Sequence, residues 1–276
     1  MKIEDFTFVI TTFNSENTIS KCLNQLPIET SKIIIENSNN KKLKEKLENE
    51  FNNLHCYLMK ENLGFGKANN FGIKKTKTKY VCILNPDVTF EKSTLGKLIE
   101  ILKNEEFSIV APINADEREK YKFNQNKILE VDYVKGFAMI MKTSEALNNL
   151  FDENIFLYLE EIDLCKRIKE KNGRIILVDI SVKHFGGLSH GDKEDIEMEK
   201  SRNWHWMWSK FYFNKKYNGY FYSLLITLPS FASSITKFLL FKFKRDHKKK
   251  IQYKMRFLGL LNSYMLKKSY YRPYKK

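Results

Sequence analysis

With 276 residues, of which 42% are hydrophobic and 29% charged, the chain can bury a substantial core, and its composition excludes a largely disordered protein. The formal charge is +15, yet residues 200–276 hold 19 Lys and Arg against one acid, Asp246, so the basicity belongs to the tail and the remaining body is close to neutral. A cationic end rich in aromatic residues fits a partner with an anionic surface, either phospholipid headgroups or nucleic acid.

From the start, Phe6 to Thr12 is an apolar, β-branched run that stops at Asn14-Ser15, and Ile19, Cys22, Leu23 and Leu26 then recur at helical spacing. Lys32 to Glu36 reads as a second strand, Lys41 to Phe51 as a charged helix, His55 to Met59 as a third strand and Lys79 to Leu84 as a fourth. After Asn85-Pro86-Asp87 comes an amphipathic helix from Lys92 to Lys103, then a strand at Ser108 to Pro112. The polar stretch from Asn114 to Lys127 has no period and reads as a variable loop, an acceptor-side lid. A strand at Gly136 to Lys142, a short helix at Thr143 to Leu150, and a helix from Glu160 to Lys171 stopped by Asn172-Gly173 follow. Two last strands are expected at Arg174 to Val178 and Val182 to His184. The alternation predicts a mostly parallel α/β sheet wrapped by helices.

From Asp195 onward the chain reads as long helices rich in Trp, Phe, Tyr and Lys. The apolar stretch from Leu224 to Leu240 is interrupted by Pro229 and Lys237, which predicts an interfacial or re-entrant helix pair rather than a span. Trp204 and Trp208 share a helix face that Trp206 does not. Cys22, Cys56, Cys82 and Cys165 are widely spaced, and the polar opening Met1-Lys2-Ile3-Glu4-Asp5 is no secretory signal, so reduced, packing thiols in a cytoplasmic protein are expected.

In an open α/β sheet, ligands bind beyond the carboxyl ends of the strands. Here those ends carry Thr11, Thr12 and Asn14, then Glu36 and Asn37, then Asn85 and Asp87, a polar edge suited to a base, a ribose and a metal-bound diphosphate. The stretch from Glu61 to Gly72 imitates a dinucleotide-binding fingerprint, but Asn69 stands at the third glycine position and the motif follows the third strand rather than the first. Its Gly64 and Gly66 still allow close backbone approach to a phosphate or sugar, although a tight turn before a helix has the same composition.

Taken in order, VITTFNSENTISKCLNQL, IIIENSN, ENLGFGKANNFGI, CILNPDV, FDENIFLYLEEIDLCKRIKEKNG and HFGGLSH resemble glycosyltransferase family 2, in particular its bacterial rhamnosyltransferase-like members, over residues 6–190. The resemblance implies a GT-A fold, a nucleoside diphosphate sugar donor (a dTDP- or UDP-sugar), a divalent Mg²⁺ or Mn²⁺ and inversion at the anomeric carbon. It places Thr11, Thr12 and Asn14 at the nucleotide, and Glu36, where the family has Asp, at the base or ribose. Asn37, Gly64, Gly66, Lys67, Asn69, Asn85 and Gly136 complete the expected substrate-binding set. Asn85-Pro86-Asp87 stands where the family carries its D-x-D variant, which makes Asp87 the main metal ligand. Glu161, one methylene longer than the usual Asp, becomes the general base, accompanied by Glu160 and Asp163. Acids in a helix's first turn are also favoured by its dipole alone. His184 corresponds to a late His that contacts metal or diphosphate, whereas His190 has no such counterpart. The usual Pro before this His is missing, with Asp179 in the region, so an altered strand entry is expected.

These expectations amount to a catalytic domain over 1–194 and a membrane-associating helical tail over 195–276. The chain would be an inverting hexosyltransferase acting on a lipid-linked glycan acceptor in surface-polysaccharide synthesis, at the inner face of the cell membrane and without nucleic acid. One competing reading is a catalytically silent member serving as a basic membrane or nucleic-acid adaptor. Another is a sugar nucleotidyltransferase, which the missing Gly-rich, Arg-containing phosphate loop disfavours.

Overall fold

The computed structural model describes residues 1–186 and 195–273. The chain forms two compact units, Met1–Asp152 with Glu161–Lys193, and Glu153–Glu160 with Glu194–Lys276. Segment 153–160 therefore belongs with the C-terminal helices, although sequence order sets it inside the first unit. The cause is local. Leu157 C=O accepts from Ser209 Oγ at 2.8 Å, and the Phe156 ring stacks on His205 with centroids 4.4 Å apart.

The first unit is built on strands β1 (Phe6–Thr12), β2 (Ser31–Glu36), β3 (Leu54–Leu58), β4 (Tyr80–Leu84), β5 (Val88–Thr89), β6 (Ile109–Asn114), β7 (Ile128–Glu130), β8 (Ala138–Lys142) and β9 (Ile175–His184). The order is β3-β2-β1-β4-β8-β6-β9-β5, with β7 also paired to β9. Pairs β1–β2, β2–β3, β1–β4 and β6–β9 are parallel, while β8 runs antiparallel to β4 and β6. It follows that β1, β2, β4, β6 and β9 all end at the same edge, and that β8 begins there.

Helices α1 (Ile19–Leu23), α2 (Lys41–Glu50), α3 (Phe65–Lys75), α4 (Thr94–Leu102), α5 (Thr143–Asn148) and α6 (Glu160–Lys169) cover the sheet. Strand alternation sorts the core into two layers. Phe6, Phe8 and Ile10 of β1 join Leu23, Leu47 and Leu98, whereas Val9 joins Ile73, Ala146 and Leu164 on the opposite face. All four cysteines are buried thiols. Burial pushes Cys22, Cys56 and Cys165 up to about 12, which suits packing rather than reactivity.

Several elements differ from the sequence reading. The two last strands are one, because β9 runs through Asp179, and a register shift against β6 at Pro112/Ile113 absorbs the irregularity. Arg118 holds the Asp179 carboxylate through both Nε (2.5 Å) and a terminal nitrogen (2.7 Å), which compensates the charge inside the strand. The expected loop at 114–127 contains a 3-10 turn, Ala115–Lys120, and the next residues form the short β7.

The second unit packs α7 (Ile196–Asn218), α8 (Tyr220–Phe243) and α9 (His247–Tyr264). Trp204 and Trp208 are buried and their rings are 6.3 Å apart, while Trp206 is exposed, as the helical spacing demands. Pro229 does not break α8, so the expected interruption is absent. Phe238 and Phe241 instead meet Phe257 and Tyr253 of α9. Among the described residues, α8 alone is long and apolar enough to cross a membrane, and only 11% of its most apolar window is buried. Gly259 lets α9 approach α7 closely, since a Cβ there would lie 2.3 Å from the Trp204 carbonyl oxygen. Gly259→Ala is expected to destabilise the second unit by about 1–3 kcal/mol. The chain's 3 Trp all lie in α7, so a lowered midpoint in tryptophan-fluorescence melting would show it, and an unchanged midpoint would refute the close approach.

Candidate active site

The parallel strands deliver their ends to one edge, and the first side chains there bind one another. Thr11 Oγ1 donates to Asn69 Oδ1 at 3.1 Å, and Asn69 Nδ2 donates to the Phe65 carbonyl at 3.0 Å. Asn69 is thus a buried tie between β1 and α3, rather than an amide presented to a ligand. Thr12 is fully buried, and its hydroxyl has no hydrogen-bond partner among the described residues. Asn14 adopts φ 51°, and its N–H donates to Ser38 Oγ at 3.4 Å.

Glu36 also turns inward. Its carboxylate accepts from the Ser38 N–H at 3.0 Å, the Asn40 N–H at 2.5 Å and the Ser38 hydroxyl, and the residue is fully buried. Glu36 therefore fixes the β2–α2 turn, a role that its sequence position did not reveal. Asn37 joins this turn to the glycine stretch, donating to the Gly64 carbonyl at 3.3 Å and accepting from the Leu63 N–H at 3.3 Å. Gly64 opens α3 at φ 80°, a conformation glycine adopts without strain. Gly66 is buried and Lys67 exposed.

At the end of β4, Asn85, Asp87 and His184 converge. The short β5 pairs antiparallel with the end of β9 and sets Val88 opposite His184. His184 Nε2 then lies 3.4 Å from Asp87 Oδ1 and 3.3 Å from Asn85 Nδ2. The Asp87 side chain is 1% exposed and that of His184 20%, so the carboxylate sits beneath an accessible imidazole. The Phe137 ring stacks on His184 with centroids 4.8 Å apart, and the Phe137 carbonyl accepts from the Asn85 N–H at 2.8 Å. Phe137 was not singled out in the sequence. Its only signal was its place beside Gly136 at the opening of an apolar strand.

Gly136 connects this cluster to the acidic helix. A Cβ on Gly136 would lie 3.4 Å from Glu161 Cβ and 3.5 Å from the Phe65 ring, so Glu161 lies at Gly136 while His184, the neighbour of Asp87, stacks on the next residue, Phe137. Desolvation raises the Glu161 carboxyl above the ordinary carboxylate range, against the opposing pull of the backbone N–H groups of Glu161 and Ile162 and of Lys135. Just before it, Tyr158 and Leu159 both have φ 70°, an uncommon conformation for bulky residues that costs about 1–3 kcal/mol each. Asp163 serves the packing of α6 instead, being fully buried and accepting from Arg167 Nε at 2.8 Å. Glu160 is buried as well. Gly187, Leu188, Ser189 and His190 lie outside the described residues.

A mixed sheet whose polar strand ends share one edge, with a late His beside an Asn-x-Asp turn, invites comparison with known proteins. Residues 7–160, more than half of the chain, match Glycosyl transferase family 2. The low-salt glycan biosynthesis hexosyltransferase Agl10 of Haloferax volcanii is 23% identical over 198 residues, 62% of this chain and 63% of the relative, so the chain spans less than two thirds of that protein. Rhamnosyltransferase WbbL of Escherichia coli is 23% identical over 71% of this chain and 88% of its own length. Among solved structures, the mannosyltransferase PcManGT from Pyrobaculum calidifontis, in complex with GDP-Man and Mn²⁺, superposes with a TM-score of 0.56 at 12% identity, covering 94% of this chain and 86% of that one. TarS of S. aureus in complex with UDP-GlcNAc gives 0.52 at 16% identity over 97% and 93%. These likenesses show the GT-A fold, and with the family match they establish that the chain belongs to glycosyl transferase family 2.

Proposed function

We propose that this glycosyltransferase moves a sugar from a nucleoside diphosphate donor, a dTDP- or UDP-sugar, to a hydroxyl of a lipid-linked glycan, with inversion, and that it works at the inner face of the cell membrane. The observation that carries the reading is that the Asp87–His184 pair reaches Phe137 and Glu161 reaches the adjacent Gly136, at the carboxyl edge of the sheet. PcManGT was solved with Mn²⁺, and the donor set here fits such an ion: one carboxylate, one imidazole and one carboxamide converge, oxygen and nitrogen ligands that a hard divalent cation accepts. Among the described residues no cluster of three or more His, Cys, Asp or Glu could hold a metal by itself, which suits a cation whose remaining positions go to substrate phosphates and water. Asp87, His184 and Asn85 would hold Mg²⁺ or Mn²⁺, and the ion, when bound, neutralises charge developing on the departing diphosphate.

The protein's own groups carry the remaining steps. Glu161 takes the proton from the acceptor hydroxyl, and its raised affinity for that proton makes it a stronger base than an exposed carboxylate. The hydroxyl oxygen then attacks the anomeric carbon opposite the leaving group, and a single displacement inverts the centre. Gly136, which has no side chain to project between Glu161 and Phe65, leaves space for the sugar. Membrane association is supported by the exposed apolar surface of α8 and the basic residues that follow it.

A nucleotide-sugar screen tests the donor assignment. With Mn²⁺ present, one dTDP- or UDP-sugar at about 100 times its Kd should stabilise the folded protein by about 2.7 kcal/mol. Turnover should release nucleoside diphosphate, whereas pyrophosphate release would support a nucleotidyltransferase instead. No shift with any nucleotide sugar would overturn the proposal.

A further inference from the structure

The second unit contains a groove of about 610 Å³ between α7 and α9, remote in sequence from every residue assigned above. One end is basic, lined by Lys200, His247, Lys250 and Lys254. His247, Lys250, Lys254 and Leu258 recur at helical spacing along one stripe of α9. Among the described residues no carboxylate lines the groove. Lys200 is partly neutralised by Glu197 Oε1 at 2.7 Å, and Glu197 is itself held by the Tyr271 hydroxyl at 3.2 Å. Lys250 and Lys254 have no carboxylate within ion-pair distance among the described residues.

Beyond this end the lining turns apolar. Trp204 and Met255 form a buried floor, flanked by Ile251 and Leu258. The stripe from His247 to Leu258 runs about 16 Å at the rise of an α-helix. At the far end Tyr270 donates to Asn262 Oδ1 at 3.2 Å, which satisfies both polar groups without the groove's occupant. A cationic mouth that leads into an apolar channel is complementary to an anion carrying a hydrocarbon chain. It is less suited to nucleic acid, because Ile251, Met255 and Leu258 are aliphatic and offer bases no aromatic face on which to stack. The same unit exposes Phe221, Leu225 and Phe243 of α8, surface that suits contact with lipid.

We propose that this groove binds one anionic glycerophospholipid of the bilayer, with the phosphate between Lys250, Lys254 and Lys200 and an acyl chain laid against Trp204, Met255 and Leu258. The inference rests on the membrane part of the function proposed above and is independent of the catalytic part. It would give the protein a stoichiometric lipid site in addition to diffuse charge attraction.

The test uses the full chain and short-chain phosphatidylglycerol kept monomeric in solution, followed by tryptophan fluorescence. Saturable binding is expected, at least about tenfold tighter than for short-chain phosphatidylcholine or inorganic phosphate, because both the charge and the chain contribute. The double variant Lys250→Glu/Lys254→Glu should weaken it at least about tenfold. Lys242→Glu/Lys244→Glu, on exposed residues outside the groove, should leave it within about twofold. Equal binding of inorganic phosphate, displacement by a single-stranded oligonucleotide, equal loss in both double variants, or no saturation would each overturn the site. Sedimentation with anionic vesicles keeps the two readings apart. Vesicle recovery without monomer binding sinks the groove alone, and monomer binding without vesicle recovery sinks the membrane reading alone.

Discussion

Glu161→Gln should lower turnover by about 10² to 10⁴ while donor binding survives, because the change removes the proton acceptor and leaves shape and neighbours intact. The pH dependence carries the same signature. Burial raises this carboxyl above its ordinary value, which is about 4.3, so kcat/KM in the wild type should fall as acid protonates the base at a pH above that value. The stability effect has the opposite sign. A group whose folded-state affinity for a proton is raised contributes stability fully below its unfolded pKa, and that stability is lost as the pH rises through the folded pKa. At neutral pH the wild type therefore bears the cost of a buried charge, and Glu161→Gln, still able to accept from the Ile162 N–H, should melt about 2–4 °C higher for each kcal/mol relieved. The gain should shrink in acid. Near-normal turnover in this variant would remove Glu161 from the mechanism, and a lower midpoint would remove the desolvation argument.

Asp87→Ala should have a comparable or larger effect by a different route. It takes away the one carboxylate in the Asn85, Asp87 and His184 cluster, and losing several kcal/mol of charge stabilisation corresponds to about 10³-fold or more in rate. Unlike Glu161→Gln, it should also abolish the Mn²⁺-dependent part of the donor's thermal shift. His184→Ala should act in the same direction, more weakly, since the imidazole is the more exposed partner. If Asp87→Ala retained activity within tenfold at saturating Mn²⁺, the cluster would have no part in holding the metal.

Features set by short-range physics were legible in the sequence. The runs that became β1, β2 and β4 are β-branched and bounded by polar turns, and α6 is bounded by acids at its start and by Asn172, at φ 61°, just past its end. The continuity of β9 was hidden, since the charge of Asp179, which lies between the two expected strands, is neutralised by Arg118, 61 residues away in the chain. The inward turn of Glu36 was hidden for a related reason. A carboxylate that serves three donors in its own turn and one that meets a ribose present the same letters. Asn69 and Asp163 were assigned to chemistry by their position in a motif, whereas their bonds to Thr11, the Phe65 carbonyl and Arg167 form only after the chain has folded. Asp87, His184 and Glu161 were chosen from the resemblance, and the strand directions show why the first two reach the Gly136-Phe137 segment: β4 and β9 end where β8 begins.

The affiliation of 153–160 with the C-terminal helices means that severing the chain at 194 is not a clean cut. Phe156 would lose partners that pack on it, among them His205 and the Arg272 guanidinium 3.9 Å from its ring centroid. The left-handed pair Tyr158-Leu159 would lose the anchorage that holds it, and it is this pair that feeds directly into Glu160 and Glu161. A tail-less version would thus be expected to arrive inactive for mechanical reasons, and its silence would say nothing about membranes.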